Sequence, residues 1–389
     1  MKLITNKLAR VILSLVAVGA MIGTLCFTAP TLKANLGGTI NGLENAAQQA
    51  LTIEFDGFGV EVEPEPGPDL VDPAPDLAVT TGTEYEDEYY IYKYNYYYVG
   101  SWRADASQNG WGVRVKDATL DWYPTMKSVI GGKPVVNAQR CYYNCTNLIE
   151  APIQSINLTT MAATFYQCTA LTTAPVIPDG VTSMSSTFDN CTSLTTAPEI
   201  PEGVTIIDNI FDSCTALTTA PEIPNSVKYM RYAFDNCTSL VTPPDMSNAT
   251  NVTDMKYAFS YCSSLATAPD LSNATSVTNM QSTFYQCTAL TTAPVIPSSV
   301  TNMSSTFCYC SSLTSAPVIP EGVTKMGCTF SDCTALTGEI TIPSTVTSMT
   351  DCFSIIIGSG KPITMKYYST CDAAVNYSVP SNVTKVVIS

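Results

Sequence analysis

A fifteen-residue phrase that occurs twice in this chain limits what the chain can fold into. TFYQCTALTTAPVIP stands at Thr164–Pro178 and again at Thr283–Pro297. Around these copies, nine cysteines recur at steps of 23 or 25 residues, each with an aromatic residue three positions before it and a leucine three positions after it. A fixed period of about 20–29 residues with ordered apolar positions is typical of a solenoid, because each coil buries its apolar edges only against its neighbours.

We call the equivalent positions of successive coils a column. The cysteine column consists of Cys145, Cys168, Cys191, Cys214, Cys237, Cys262, Cys287, Cys310 and Cys333. The aromatic column consists of Tyr142, Phe165, Phe188, Phe211, Phe234, Phe259, Phe284, Phe307 and Phe330, and a partial coil ends near Phe353. One coil reads F-x-x-C-T-x-L-T-T-A-P-x-I-P-x-x-V-T-x-M-x-x-T, which predicts columns of Phe, Leu and Val in the core and turns fixed by proline.

The repeat resembles the BspA-like class of bacterial leucine-rich repeats. The string IP-x-x-V-T-x-M-x-x-T-F-x-x-C-T-x-L from Ile177 to Leu194 carries the resemblance, which covers about Gly132–Phe353. It implies a right-handed, leucine-rich-repeat-like stack of coils with short parallel strands and short helical or turn segments, and adhesion-type roles. Ala-Pro, as at Ala174–Pro175, departs from the family's aliphatic pair. Because proline cannot donate a ladder hydrogen bond, we expect a thin parallel sheet.

The N-terminus predicts export. Lys2, Lys7 and Arg10 precede an uncharged apolar stretch, as in a secretory signal peptide, which we assign to residues 1–34. An uncleaved membrane anchor is the alternative, because the stretch nearly reaches transmembrane length. No recognisable wall-sorting motif closes the sequence. We therefore expect an extracellular or cell-surface location, with membrane contact only through an uncleaved N-terminal segment.

Composition divides the rest of the chain. Thirteen Asp or Glu and no Lys or Arg occur between Ala34 and Tyr92, so we predict a disordered, acidic, Pro-rich spacer over residues 35–84. Residues 85–135 are predicted to form an N-terminal cap with a Tyr-rich strand, residues 136–355 the solenoid, and residues 356–389 a C-terminal cap. In the first cap, tyrosines at period two are expected to share one strand face. This face could bind a sugar or a protein. We favour the alternative, in which the rings pack on the end of the solenoid. These tyrosines are Tyr90, Tyr92, Tyr94, Tyr96 and Tyr98.

Charge and composition argue against several function classes. The formal net charge of -15 disfavours a nucleic-acid partner, because phosphate attracts basic surfaces. The chain has no histidine, which removes the commonest general base and metal ligand. A carbohydrate-active enzyme would need two acids across a cleft, whereas a stack of coils supplies acids in a row. We expect neither an enzyme nor a cofactor.

The cysteines have two interpretations. Disulfides are usual in exported chains, but nine equivalent positions favour a buried column of reduced thiols. Cys328 and Cys352 lie outside that column on adjacent coils and are a candidate disulfide. A zinc site is disfavoured because the chain has no CxxC pair.

Two irregular columns are candidate binding surfaces. The residue after Ala-Pro tolerates charge and is therefore expected to face solvent; on four successive coils it is Glu199, Glu222, Asp245 and Asp270. The two residues after the Met column are Arg231–Tyr232 and Lys256–Tyr257 on adjacent coils, where other coils mostly hold small polar residues. The alternative for both columns is an ordinary solvated, salt-bridged face.

The sequence favours an exported, non-catalytic repeat protein that binds a macromolecule, either an extracellular protein or a glycan, in an adhesion or interaction role. A structural surface spacer without a specific ligand is the alternative. An extended stack of coils suits either role, because its surface is long and repetitive.

Overall fold

The computed structural model describes residues 78–152, 154–354 and 362–388, all of which belong to one compact unit. The predicted signal peptide 1–34 and all but the last seven residues of the predicted spacer 35–84 lie outside these ranges. Within the described ranges, no helix is both long and apolar enough to cross a membrane.

A five-stranded sheet precedes the coils. The strands before the coils are β1 (Glu84–Glu86), β2 (Tyr90–Tyr94), β3 (Tyr96–Tyr98), β4 (Trp102–Ala104), β5 (Trp111–Val115), β6 (Val129–Ile130) and β7 (Lys133–Asn137). The order in the sheet is β1-β2-β5-β7-β6, and only the β5–β7 pair is parallel. β3 and β4 form a separate antiparallel hairpin, followed by a 3₁₀ helix at Ala106–Gln108.

The five tyrosines at period two do not share one strand face. Asn95 has a φ of 57° and donates its N–H to the Gly110 carbonyl, which ends β2 and starts the hairpin. Only the three tyrosines of β2 are buried. As favoured from the sequence, this strand packs on the first coil: the hydroxyls of Tyr90 and Tyr142 lie 3.0 Å apart.

The coils are joined by isolated parallel bridges instead of long strands. β7 bridges the first coil at Asn137–Thr160, and equivalent single-residue bridges continue to Lys325–Ser348. A second series runs from Glu150–Thr173 to Thr219–Thr242, and one further bridge of this kind pairs Thr267 with Thr292. The expectation of a thin parallel sheet is therefore confirmed. Ala-Pro, or Pro243–Pro244 in one coil, follows the second bridge, and proline cannot donate to a ladder there.

The aromatic column forms the core. Neighbouring ring centroids lie 5.0–5.9 Å apart from Tyr142 to Phe353, and their planes are nearly parallel. At the C-terminal end, the Tyr377 ring contacts Phe353 at 6.1 Å, and its hydroxyl accepts the Phe353 N–H at 2.9 Å. Aromatic side chains outside the repeat thus cover both ends of the column.

The cysteine column lies beside the rings, and its nine thiols are buried and free. From Cys168 onward, each thiol donates to the carbonyl of the aromatic residue on the preceding coil at 3.0–3.1 Å. Burial raises the pKa of Cys214 well above its ordinary value. The prediction of a reduced, buried column is confirmed, and the hydrogen bond explains why cysteine fills it.

A small parallel sheet follows the coils. Its strands are β8 (Gly338–Ile342), β9 (Ile363–Tyr368) and β10 (Val383–Ile388), in the order β10-β9-β8. A single-turn helix, α1 (Asp372–Val375), connects β9 to β10. β8 is a strand because its coil replaces Ala-Pro with residues that can donate to a ladder.

Candidate functional site

The four predicted acids after Ala-Pro are all exposed, but they are not equivalent. The Glu222 carboxylate accepts a hydrogen bond from the Asn248 side chain at 2.7 Å. Asp245 and Asp270 instead accept the backbone N–H groups of Ser247 and Ser272, at 2.8 and 2.9 Å. These hydrogen bonds hold the pKa of Asp245 below its ordinary value.

The coil length explains this difference. In the 23-residue coils, the residue two positions after the acid is a proline, as at Pro224, which has no N–H to satisfy. In the 25-residue coils, a serine stands there, and its N–H needs an acceptor. The short Asp side chain supplies that acceptor in a local turn. Two of the four predicted binding acids therefore stabilise their own turns.

The predicted cation–tyrosine pairs are divided between two environments. Arg231 is bound to Asp208 of the preceding coil, with Nη2–Oδ2 at 2.5 Å, and this contact raises the pKa of the guanidinium. Tyr232 and Tyr257 stack at 4.8 Å with nearly parallel rings, and the Lys256 amino group lies 5.5 Å from the Tyr257 centroid. The structure therefore brings the two rings together, while Arg231 is held in an ion pair.

The candidate disulfide between Cys328 and Cys352 is not formed in this structure, where both residues are free thiols. Cys352 is buried at the position that Thr329 holds one coil earlier. Cys328 has a φ of 55° and is only half-buried. The offset of one register places one thiol inside the stack and the other at its surface. In the described part of the chain, no three His, Cys, Asp or Glu side chains form a group that could hold a metal ion.

A larger group of side chains combines the Tyr232–Tyr257 stack with residues one or two positions after the aromatic column. We call it the tyrosine–aspartate face. It comprises Tyr166, Asp189, Asp212, Asp235, Tyr232, Tyr257, Tyr261, Tyr285 and Tyr309. Tyr285 contacts Tyr261 and Tyr309 edge-on at 5.4 and 5.6 Å. Three successive aspartates are thus bordered by tyrosines at both ends.

The three aspartates are partly withdrawn from water. Burial raises the pKa of Asp189 and of Asp235 to about 6, and it raises the pKa of Asp212 as well. The neighbouring Asp212 charge adds to the first two shifts. Asn190 and Ser213 donate to Asp189 and Asp212 at 2.7 and 2.9 Å. One Asp235 oxygen is buried and accepts no hydrogen bond from any residue in the described ranges.

Most tyrosines of this face occupy backbone positions that disfavour them. Two positions of each coil have a φ of 52–63°, the second residue after the Met column and the second after the aromatic column, and we call these the left-handed columns. Asn and Ser fill many of these positions, as expected, since short polar side chains tolerate this conformation best after glycine. Four tyrosines also stand there: Tyr232, Tyr257, Tyr261 and Tyr309.

The repeats of this chain match the description of a known protein family. The family description that matches is the BspA type leucine rich repeat region, in six copies, over residues 137–266, 255–356 and 304–387. These ranges extend across more than half of the 389 residues. The chain belongs to the BspA-type leucine-rich repeat family. The resemblance inferred from Gly132–Phe353 is confirmed.

Solved structures of bacterial leucine-rich repeat proteins are similar to this BspA-type chain at low identity. A leucine rich repeat protein of T. pallidum is 24% identical, with a TM-score of 0.36, over 42% of this chain and 76% of its own. A leucine rich cell surface protein of Faecalibacterium prausnitzii is 22% identical, with a TM-score of 0.38, over 73% and 94%. A leucine-rich repeat protein of Bacteroides ovatus is 16% identical, with a TM-score of 0.31, over 81% and 100%. No curated protein matches the chain.

Sequence reasoning missed most of the tyrosine–aspartate face, although the signal was present. The residue after the aromatic column is Tyr, Asp, Ser or Cys in different BspA-type coils, while the aromatic residue itself hardly varies. Such variation beside a constant column indicates a position at the border between the core and the surface, where Tyr166, Asp212, Asp235 and Tyr285 are half-buried while Asp189, Ser260, Cys308 and Ser331 are buried. The columns predicted from the sequence as binding surfaces were those after Ala-Pro and after the Met column.

Proposed function

We propose that this protein is an exported, non-catalytic BspA-type repeat protein that binds an extracellular macromolecule, a protein or a glycan, through the tyrosine–aspartate face. The N-terminal segment supports export, since its positive residues precede an apolar stretch. The family supports an extended contact surface, because stacked coils repeat the same positions along one side.

The tyrosines in the left-handed columns are the observation that carries the proposal. A left-handed backbone costs about 1–2 kcal/mol for residues other than glycine, and bulky side chains tolerate it poorly. Tyr261 and Tyr309 are nevertheless 41% exposed, so the core gains little from their rings. Strained positions that persist without a packing benefit are characteristic of functional surfaces.

The chemistry of the face suits macromolecular recognition. Tyrosine offers a large rigid ring and a polar hydroxyl with little loss of conformational entropy, which is why it is common at binding interfaces. Tyr232 and Tyr257 stack, and Tyr261, Tyr285 and Tyr309 meet edge-on along the coils that follow. The half-buried Asp212 and Asp235 add hydrogen-bond acceptors, and burial raises the pKa of Asp235 to about 6, so its charge depends on pH there.

The test is a binding screen of the purified full chain against immobilised extracellular matrix proteins and glycans. The variant Tyr257→Ser/Tyr261→Asn/Tyr309→Asn removes three rings from the face. The matched control Val176→Thr/Val295→Thr/Val318→Thr changes three exposed apolar side chains in the column after Ala-Pro. We expect the tyrosine variant to lose binding and the valine variant to keep it.

Two results would contradict the proposal. If only the valine variant lost binding, the contact would lie in the column after Ala-Pro. If no member of a broad panel bound, the structural spacer would be the better description, since its coils need only project or shield.

A further inference from the structure

A small cationic pocket lies in the region before the coils, and the proposed function does not use it. The cavity measures about 180 Å³. Among the described residues, its lining includes Arg114, Lys116, Arg140, Tyr98 and Tyr143, but no Asp or Glu. Three of the chain's 18 cationic side chains thus converge on one cavity in a protein of net charge -15.

The pocket is built by a close approach of the β3–β4 hairpin to the sheet. A Cβ atom on Gly112 would lie 1.9 Å from the Tyr96 carbonyl oxygen, so only glycine allows the hairpin to cross β5 there. The crossing brings the Tyr98 ring to 4.9 Å from the Arg114 guanidinium. Arg114 is on the outer side of β5, since its neighbours Val113 and Val115 point into the core.

In the part of the chain that the structure describes, the two arginines have no carboxylate partner. Among the residues described, neither Arg114 nor Arg140 has an acidic side chain within salt-bridge distance. The Arg114 Nε is buried and has no acceptor in the described ranges. Arg140 donates one hydrogen bond, to the Val99 carbonyl at 3.0 Å. Lys116, in contrast, is paired with Glu86 at 2.6 Å.

We propose that this pocket binds a carboxylate of an acidic segment of a protein partner, with Arg114 and Arg140 as the binding residues. Guanidinium groups match carboxylates in geometry and form strong charge-assisted hydrogen bonds with them. A carboxylate would also provide an acceptor for the buried Arg114 Nε.

The rings and the size of the pocket favour an acidic side chain over a sugar acid. Tyr143 is in contact with the Arg140 guanidinium at 4.9 Å and with the Tyr166 ring at 4.7 Å, so little of its surface can stack on a sugar. Tyr98 contacts Arg114 and, edge-on, Trp102. A cavity of about 180 Å³ is also smaller than the roughly 300–1,000 Å³ of pockets for larger ligands.

The experiment titrates the full chain at low ionic strength with a blocked hexaglutamate peptide, followed by calorimetry. Hexaglutamine and D-glucuronate are the comparison ligands. Arg114→Gln removes one binding group, and Arg103→Gln removes an equal charge from the exposed side of β4. We expect about a tenfold or greater loss of hexaglutamate affinity for Arg114→Gln and less than about twofold for Arg103→Gln. The tyrosine triple variant should still bind the peptide, which separates this site from the proposed function.

Each other outcome overturns the proposal. Absence of hexaglutamate binding would show that the pocket is only structural. Equal losses in Arg114→Gln and Arg103→Gln would indicate unspecific charge attraction. Tighter binding of D-glucuronate than of the peptide would assign the pocket to acidic sugars. Circular dichroism and the melting temperature of each variant check that a loss of affinity does not reflect unfolding.

Discussion

The cysteine column and the left-handed columns each recur once in every coil, yet they tolerate very different residues. Every coil from Cys145 to Cys333 keeps its cysteine. The left-handed columns hold Ala, Ser, Asn, Gln, Asp, Cys, Arg or Tyr. The backbone geometry of the left-handed columns is nevertheless nearly constant, since their φ varies by only about ten degrees.

The difference shows which constraint acts at each place. A cysteine is in contact with protein on all sides, and its thiol must reach a carbonyl on the preceding coil at 3.0–3.1 Å. At a left-handed position, the backbone requires only a residue that tolerates positive φ. The side chain is then free to serve binding, and its variation from coil to coil can indicate where it does so.

Truncation inside the stack should have the largest effect. Phe211 contacts Phe188 and Phe234 at 5.6 and 5.5 Å and is fully buried. We expect Phe211→Ala to lower the free energy of unfolding by about 3–5 kcal/mol, through lost burial and a cavity shared by three coils. Urea denaturation measures this change. The control Tyr309→Ala, at an exposed ring, should cost less than about 1 kcal/mol. Equal losses for the two variants would remove the distinction between interior and surface rings.

The aspartates of the tyrosine–aspartate face should make stability depend on pH. Burial raises the pKa of Asp189 and Asp235 to about 6, above the ordinary value near 4 of an unfolded chain. The folded state therefore binds more protons between about pH 4 and 6, and stability falls as the pH rises through this window. We expect the free energy of unfolding to be larger at pH 5 than at pH 7.5, by about 1 kcal/mol per group after solvent screening, and the melting temperature to be higher accordingly.

Substitution tests the origin of that pH dependence. Asp189→Asn/Asp235→Asn should raise the melting temperature at pH 7.5 and flatten its change down to pH 5. The exposed Glu199→Gln/Glu222→Gln pair removes the same charge from the column after Ala-Pro and should leave the slope unchanged. An unchanged slope in the aspartate variant would mean that these two groups do not titrate in the window.

Much of the fold was predictable from the sequence, because each interior column repeats the same contact. The period, the aromatic column and the thin sheet all follow from residues that cannot vary without loss of packing. Asn95 marks a point where prediction from periodicity fails. The alternation of tyrosines continues past it in the sequence, but its positive φ turns the chain out of β2 and into the hairpin. The roles of Asp245 and Asp270 needed the structure, since an N–H without an acceptor becomes evident only once the turn is known.

The thiol hydrogen bond should contribute a smaller, measurable term. Cys214 donates to the Phe188 carbonyl at 3.1 Å, so Cys214→Ala should cost about 1–2 kcal/mol through the lost bond and a small cavity. Cys214→Ser is the informative companion, because it keeps a donor. If the bond matters, serine should be no worse than alanine. A serine variant clearly less stable than the alanine variant would mean that the thiol serves mainly as apolar volume.

Exchange between tyrosine and asparagine in the left-handed columns should have the smallest effect on stability and the most informative sign. Tyr309 is exposed and has a φ of 63°. Tyr309→Asn relieves backbone strain but loses an edge contact with Tyr285, so we expect a change between zero and about +1 kcal/mol in the free energy of unfolding. The reciprocal Asn236→Tyr adds strain and removes the 3.3 Å hydrogen bond to Ser213, so it should destabilise by about 1 kcal/mol.

If Tyr309→Asn also weakens partner binding, the ring is kept at the expense of stability, as expected of a residue that serves recognition. A destabilising Tyr309→Asn with unchanged binding would instead show that the exposed tyrosines hold the coils together, and the tyrosine–aspartate face would lose its main support.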